Sequence, residues 1–348
     1  MSKRFRLLAL ALVAALALGV VACGSDDSND SSGDGGNSSG QSGEKIKAGL
    51  VTDIGGLNDR SFNFLANQGR LDAQKALGID TRVLLSKSNG DYVPNLSTLA
   101  QQKYQSITAV GFLMADALNT VASKFPDSSF SMVDFSASAL KDKPKNVEGL
   151  LFAEQEAGYL AGYLAGLWAK DNNAKVISSV GGQKIPPVDH YIAGYQAGAK
   201  KAYPGIQTLN AYSQDFVDQA KCKEIALDQI AKGSKVVFQV AGGCGLGALD
   251  AAKEKGVQGI GVDADQSYLG EHVLTSAEKH VDLAVERAIK SVQDGTFKGG
   301  TDVLSNVANN GVGIGKISAA GQKYADQVEK IRQQIADGQI KDIPDTVK

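Results

Sequence analysis

Aspartates stand where β-rich runs end: Asp53 just after Val51, Asp134 after Val133, Asp263 after Val262, with Asp265 close behind and Asp116 after the run ending near Leu113. An ionised carboxylate is acceptor-only, with two oxygens that suit the paired donors of vicinal hydroxyls. Unpaired aspartates are seldom buried for packing alone. A set of them at strand ends therefore fits a ribose or another polyol, with helix N-capping as the alternative, most of all for Asp116. Around Asp53 the loop Thr52–Asn63 adds Gly55, Gly56, Asp59, Ser61, Phe62 and Asn63. Asp59 or Ser61 can cap the helix that follows, and Phe62 is either a core residue or an aromatic wall. Phe216, behind Asp215, is a second aromatic near a strand end, and two such rings could clamp a flat ligand at about 0.5–1.5 kcal/mol each beyond area burial. Lys279 is the one cation that falls near these ends, or else a solvated helix-start lysine.

The loop Ala241–Ala248 contains Gly243-x-Gly245-x-x-Ala248, with Asp263 twenty residues on, which matches the form of a dinucleotide fingerprint. Glycines at a strand-to-helix turn are equally what a close backbone approach to any ligand requires. Gly242 and its neighbours are read as a backbone cradle at a helix start, and no cofactor is implied. His190, His272 and His280 have no metal-ligand spacing, and no nucleophile elbow occurs. The paired carboxylates leave a glycoside or nucleoside hydrolase as the enzymatic alternative to simple binding.

These residues need elements to hold them. Apolar runs at 46–51, 81–85, 109–113, 130–133 and 147–152 read as strands. So do 175–180, 206–211, 236–240, 259–262 and 273–275. Amphipathic stretches between them, among them 62–77, 96–104, 115–124, 157–169, 192–203 and 218–231, read as helices. Such alternation predicts an α/β protein with parallel sheets, and the pattern runs twice. Two Rossmann-like lobes with a hinge are expected, the first from about 44–152 plus 267–300, the second from about 153–266 plus 301–345. Ligands of open α/β sheets bind beyond the carboxyl ends of the strands, so two facing lobes enclose a cleft that a hinge can close. Cys222 on the helix at 218–232 and Cys244 beyond the next strand are placed to form a disulfide, or to remain as buried thiols.

The N-terminal part reads differently. Residues 1–6 carry three cations, 7–21 are apolar, and Ala22-Cys23-Gly24 follow. This is a secretory signal peptide over 1–22 with a lipidation site at Cys23, the run being shorter than the roughly 20 residues of a membrane-spanning helix. Residues 24–43 hold no large apolar side chain, which predicts a disordered leash spanning on the order of 25 Å. Without Lys3, Arg4 and Arg6 the chain has 33 basic against 38 acidic residues, a net charge near −5. No basic stripe appears, which argues against nucleic acid as a partner.

The segment Asp53-x-Gly55-Gly56-x-x-Asp59-x-Ser61-Phe62-Asn63 resembles the opening signature of the basic membrane protein family, lipoproteins that bind substrates for ABC transporters. Further matches follow in order: Glu156-Ala-Gly158-Tyr159-Leu-Ala-Gly162, Gly194-Tyr195-x-Ala-Gly198, Val237-Phe238-Gln239-x-Ala241-Gly242-x-x-Gly245, Gly261-Val262-Asp263-x-Asp265-Gln266 and Thr275-Ser276-Ala-Glu-Lys279. The resemblance spans about 45–340. It implies a type I periplasmic-binding fold, a nucleoside ligand stacked between Phe62 and Phe216, and polar contacts from Asp53, Asn63, Asp134, Gly242, Asp263 and Lys279. Asp59 joins this set from its place in the loop. A monomer is expected, lipid-anchored on the extracytoplasmic face of the cell membrane, with an ABC permease as partner. The stretch 183–189, with Pro186-Pro187, and the two cysteines have no counterpart in that pattern.

Overall fold

The computed structural model describes residues 44–347; Cys23, the leader and the leash lie outside the described residues. The first lobe is built by β1 (Lys47–Val51), α1 (Phe62–Leu77), β2 (Asp80–Leu84), α2 (Tyr92–Gln101), β3 (Ser106–Ala109), α3 (Ala115–Ala122), β4 (Ser129–Val133) and β5 (Val147–Phe152). The long helix α4 (Glu154–Asp171) follows. The second lobe repeats the alternation: β6 (Val176–Gly181), α5 (Pro186–Ala202), β7 (Gln207–Tyr212), α6 (Gln219–Ala231), β8 (Ser234–Val240), α7 (Gly242–Glu254), β9 (Gln258–Asp263) and β10 (Val273–Lys279). Last come α8 (Val281–Gln293), β11 (Asp302–Ser305), β12 (Val312–Ile314) and α9 (Ala325–Ala336).

The sheets have the same order, β11-β5-β4-β3-β1-β2 and β12-β10-β9-β8-β6-β7. All pairings are parallel except β10 with β12, and in the first sheet Val51 faces both Leu84 and Ala109. The central strands are apolar and buried along their length, as strands covered on both faces are.

Three crossings join the lobes: Phe152 to Glu154, Lys279 to Val281, and Ser305 to Val307. The first and third are tied side by side, since Ala153 N–H donates to the Ser305 carbonyl at 2.8 Å and Val307 N–H to Glu156 at 2.7 Å. After the first crossing α4 packs on α5, and after the second α8 packs on α1. The helix pair α4–α5 is close because its facing positions are glycine; a Cβ at Gly162 would come within 2.0 Å of the Tyr195 carbonyl. The glycines of the Glu156–Gly162 and Gly194–Gly198 segments thus serve packing, away from the cleft.

This topology corrects the expected lobe boundaries. Residues 273–279 pair with β9 and belong to the second lobe, whereas β11 adds to β5 in the first. The chain crosses after β10, not before it, so Lys279 ends a strand of the second lobe. The third strand also differs from the expected 109–113: it stops at Ala109, where Gly111 takes a φ of +107° and turns the apolar run out of the sheet.

Candidate functional site

One of the cavities between the lobes is lined by all nine residues named above: Asp53, Asp59, Phe62, Asn63, Asp134, Phe216, Gly242, Asp263 and Lys279. Counted together with the open space at its mouth, it encloses about 630 Å³. Asp116 and Asp265 are not among its lining. Asp116 lies in the first turn of α3, where a negative charge suits the helix N-terminus, and exposed Asp265 serves local structure by accepting from Ser267 N–H at 3.0 Å.

The first lobe offers its loop in a fixed shape. Asp59 accepts from the backbone N–H groups of Asn63 (2.7 Å), Phe64 (3.0 Å) and Ser61 (3.2 Å), which caps α1 and seats Phe62 at its entrance. Asn63 accepts from Asp53 N–H at 3.0 Å and donates to the Ile54 carbonyl at 3.2 Å. Asp59 and Asn63 are therefore committed to holding the loop. Asp53 accepts from Tyr92 Oη and, at 2.7 Å, from Ile54 N–H, both through Oδ1. Burial pushes the carboxyls of Asp53 and Asp59 up to about 6, against the pull of those same hydrogen bonds.

The second lobe brings the cation. Lys279 is buried, its Nζ 2.6 Å from Asp134 across the cleft and 2.9 Å from Glu154 at the hinge. The ammonium also lies 5.0 Å from the Phe62 ring centre and 4.8 Å from that of Phe152. Burial works against its charge, but Asp134, Glu154 and Asp263 outweigh it and raise its pKa. One ammonium faces three carboxylates, so burial holds Asp134 and Asp263 above the ordinary range. Glu154 is also opposed by burial, but Lys279 and His190 hold it below that range.

The lobes touch directly here: Ser61 Oγ donates to Asp263 at 2.6 Å, and Asp263 also accepts from Tyr191 Oη at 3.1 Å. Asp134 and Asp263 share a left-handed backbone, with φ of 68° and 61°. This conformation is uncommon outside glycine, with aspartate among the residues that tolerate it.

Several lining residues escape sequence reasoning. Phe112 follows the turn at Gly111, and its ring lies 5.2 Å from that of Phe135. Ile185, Pro187 and Val188 form an apolar wall where α5 begins. The Pro-Pro pair is the available signal, since proline suits a helix first turn. Tyr191 lies within a helix, where nothing local marks it, and the same holds for Glu154, which does not line the cavity but pairs with Lys279.

Two facing α/β lobes, three crossings between them and a cleft lined at the strand ends define a two-lobed solute-binding protein. The chain belongs to the Bmp family, described as ABC transporter substrate-binding protein PnrA-like, whose model matches residues 46–346. It is 36% identical to the ABC transporter nucleoside-binding protein BmpA of Lactococcus lactis, over 96% of this chain and 98% of that one. An uncharacterized lipoprotein of Pyrococcus abyssi is 35% identical, over 84% of this chain and 75% of the relative. Among solved structures, an ABC transporter solute-binding protein from Aeropyrum pernix superposes with a TM-score of 0.77 at 26% identity, over 86% of this chain and 94% of that one. The protein is an ABC transporter solute-binding protein, and its relatives carry names of binding proteins and lipoproteins. No helix among the described residues is long and apolar enough to cross a membrane.

Proposed function

We propose that this protein captures a nucleoside, with purines preferred, by closure of its lobes and delivers it to an ABC permease while tethered through a lipid on Cys23. The observation that carries the reading is the pairing of Phe62 and Phe216, from opposite lobes, in one cavity with Asp53, Asp134, Asp263 and Lys279. The two rings would take the base between them, and the strand-end carboxylates would accept from ribose hydroxyls. Lys279 would supply a donor between two carboxylates. The relative named a nucleoside-binding protein supports the same ligand class. Capture needs no chemical step, only a closed state that binds the ligand better than the open one.

Isothermal titration with adenosine, guanosine, inosine, uridine and free ribose tests this. Heat is expected from the purine nucleosides above all; silence from every nucleoside at millimolar concentration overturns the reading. Phe62→Ala should weaken binding 10- to 100-fold, about 1.4–2.7 kcal/mol, and an unchanged affinity would return Phe62 to a packing role. Incubation with nucleoside followed by chromatography should release no free base; its release would make the protein a hydrolase.

A further inference from the structure

Phe216, the aromatic that the second lobe brings to the cleft, is held by more than its own loop. Its ring lies on the backbone of Gly182, where a Cβ would come within 2.2 Å of the ring edge. Its carbonyl accepts from Cys244 N–H, in the first turn of α7, at 3.0 Å. Cys244 is bonded in turn to Cys222 on α6, with a Cα–Cα distance of 5.6 Å, and both residues are fully buried. The covalent link therefore joins the two helices that flank the Phe216 loop, α6 after it in the chain and α7 against its carbonyl. The loop is also anchored at its start, where Gln214 N–H donates to the Gly182 carbonyl at 3.0 Å, while beyond Phe216 its bonds are local: Asp215 accepts from Val217 N–H at 2.7 Å and Asp218 N–H at 3.0 Å. The same turn of α7 presents Gly242 and Gly243 to the cavity.

We propose that the Cys222–Cys244 disulfide is a positioning element for the binding cleft. It fixes the first turn of α7 to α6, so that the Phe216 carbonyl stays caught and its ring stays on Gly182, ready to receive a flat ligand ring. Restricting such a wall before binding reduces the ordering cost of capture. The inference rests on the reading of Phe216 as a ligand-facing wall, so its test has one arm that needs no ligand.

The experiment compares the full-length protein with its Cys222→Ala/Cys244→Ala variant. In the ligand-free state, amide exchange at positions 217, 218 and 244 should accelerate at least tenfold, with the strands of the first lobe unchanged. Adenosine should bind five- to tenfold more weakly, mainly through faster dissociation. Phe216→Ala should cost much less in the variant than in the parent, because residues that act as a unit are non-additive. Unchanged exchange at those three amides overturns the proposal, and would mean that the close contact of Gly247 with the Gln219 carbonyl holds the helices by itself. An additive cycle also overturns it. Absence of nucleoside binding by the parent defeats the functional reading alone, because the exchange arm still decides the disulfide's role. If the double variant does not fold, the parent opened by a phosphine reductant and alkylated serves for the same exchange measurement, with the same deciding outcomes.

Discussion

The two lobes use one strand order and differ at the tips of their strands. Strands β4 and β9 occupy equivalent positions, and each runs into an aspartate with left-handed backbone, Asp134 or Asp263. Strain of this kind recurs at functional sites. At the next strand the lobes part: β5 ends in Phe152 and β10 in Lys279. The difference makes the faces complementary. Lys279 of the second lobe meets Asp134 of the first, and Ser61 of the first meets Asp263 of the second. Their aromatic walls are secured by different chemistry as well, Phe62 by the hydrogen bonds of Asp59 and Asn63, Phe216 by a helix turn held through a disulfide. A shared scaffold with divergent strand ends can thus build an asymmetric site without altering either core.

The sharpest way to break this complementarity is Lys279→Met. The substitution keeps an unbranched apolar stem and removes the cation that three buried carboxylates share. Removing one partner of a buried ion pair costs roughly 3–5 kcal/mol, and that loss is expected in urea unfolding at pH 7. The deficit should shrink toward pH 4, as Asp134 and Asp263, whose pKa values burial raises, take up protons. A pH-independent deficit would mean that the ammonium does not balance these groups.

Much of this site is legible in the sequence because strand ends in a parallel sheet point to one edge. Asp53, Asp134 and Asp263 can be found by locating the ends of apolar runs, and Gly242 by the turn that follows one. What the pattern does not carry depends on long-range path. Lys279 looks like a residue between a short strand and a helix; its place at the end of a seven-residue strand follows from pairing with β9 and β12. The lobe assignments of 267–279 and 301–305 fail for the same reason, since periodicity does not say where a chain crosses. Strands β11 and β12, of four and three residues, are too short to announce themselves. Glu154 and Tyr191 read as ordinary helix residues, and only the fold brings them beside Lys279 and Asp263.

Within the first lobe, Asp53→Asn separates the cost of a buried charge from the shape of the loop. The Asp53 carboxyl rises from an ordinary value near 3.8 to about 6 on folding, driven by burial. Between those values the folded state binds more proton than the unfolded one, so charging Asp53 destabilises the fold as pH rises through that window. Asparagine does not titrate. The stability of the variant relative to the parent should therefore climb from pH 4 to pH 7, by up to ~3 kcal/mol at 1.36 kcal/mol per pKa unit, and stay level above. Any loss of the Tyr92 hydrogen bond adds an offset with much weaker dependence on pH. Paired unfolding curves at half-unit pH intervals check this, and a flat difference would remove Asp53 as the titrating group.

The smallest effect is expected at the seam itself. Ser61 is fully buried, and its hydroxyl bridges to Asp263 and, at 3.2 Å, to the Val262 carbonyl of the opposite lobe. Ser61→Ala removes these inter-lobe bonds while Asp263 keeps Tyr191 as a donor, so the carboxylate is not stranded. A typical net hydrogen-bond contribution of about 0.5–1.5 kcal/mol corresponds to a two- to tenfold change in an equilibrium constant. Because the bonds exist only when the lobes meet, the loss should fall on closure: X-ray scattering of the ligand-free variant should show a larger radius of gyration than the parent, and ligand affinity should drop by the same modest factor. A variant that loses unfolding stability in each lobe without opening would show that Ser61 supports its own loop and contributes nothing to closure. An opened variant with lobe stability intact would make the seam, like the ion pair at Lys279, a place where the second lobe completes what the first begins.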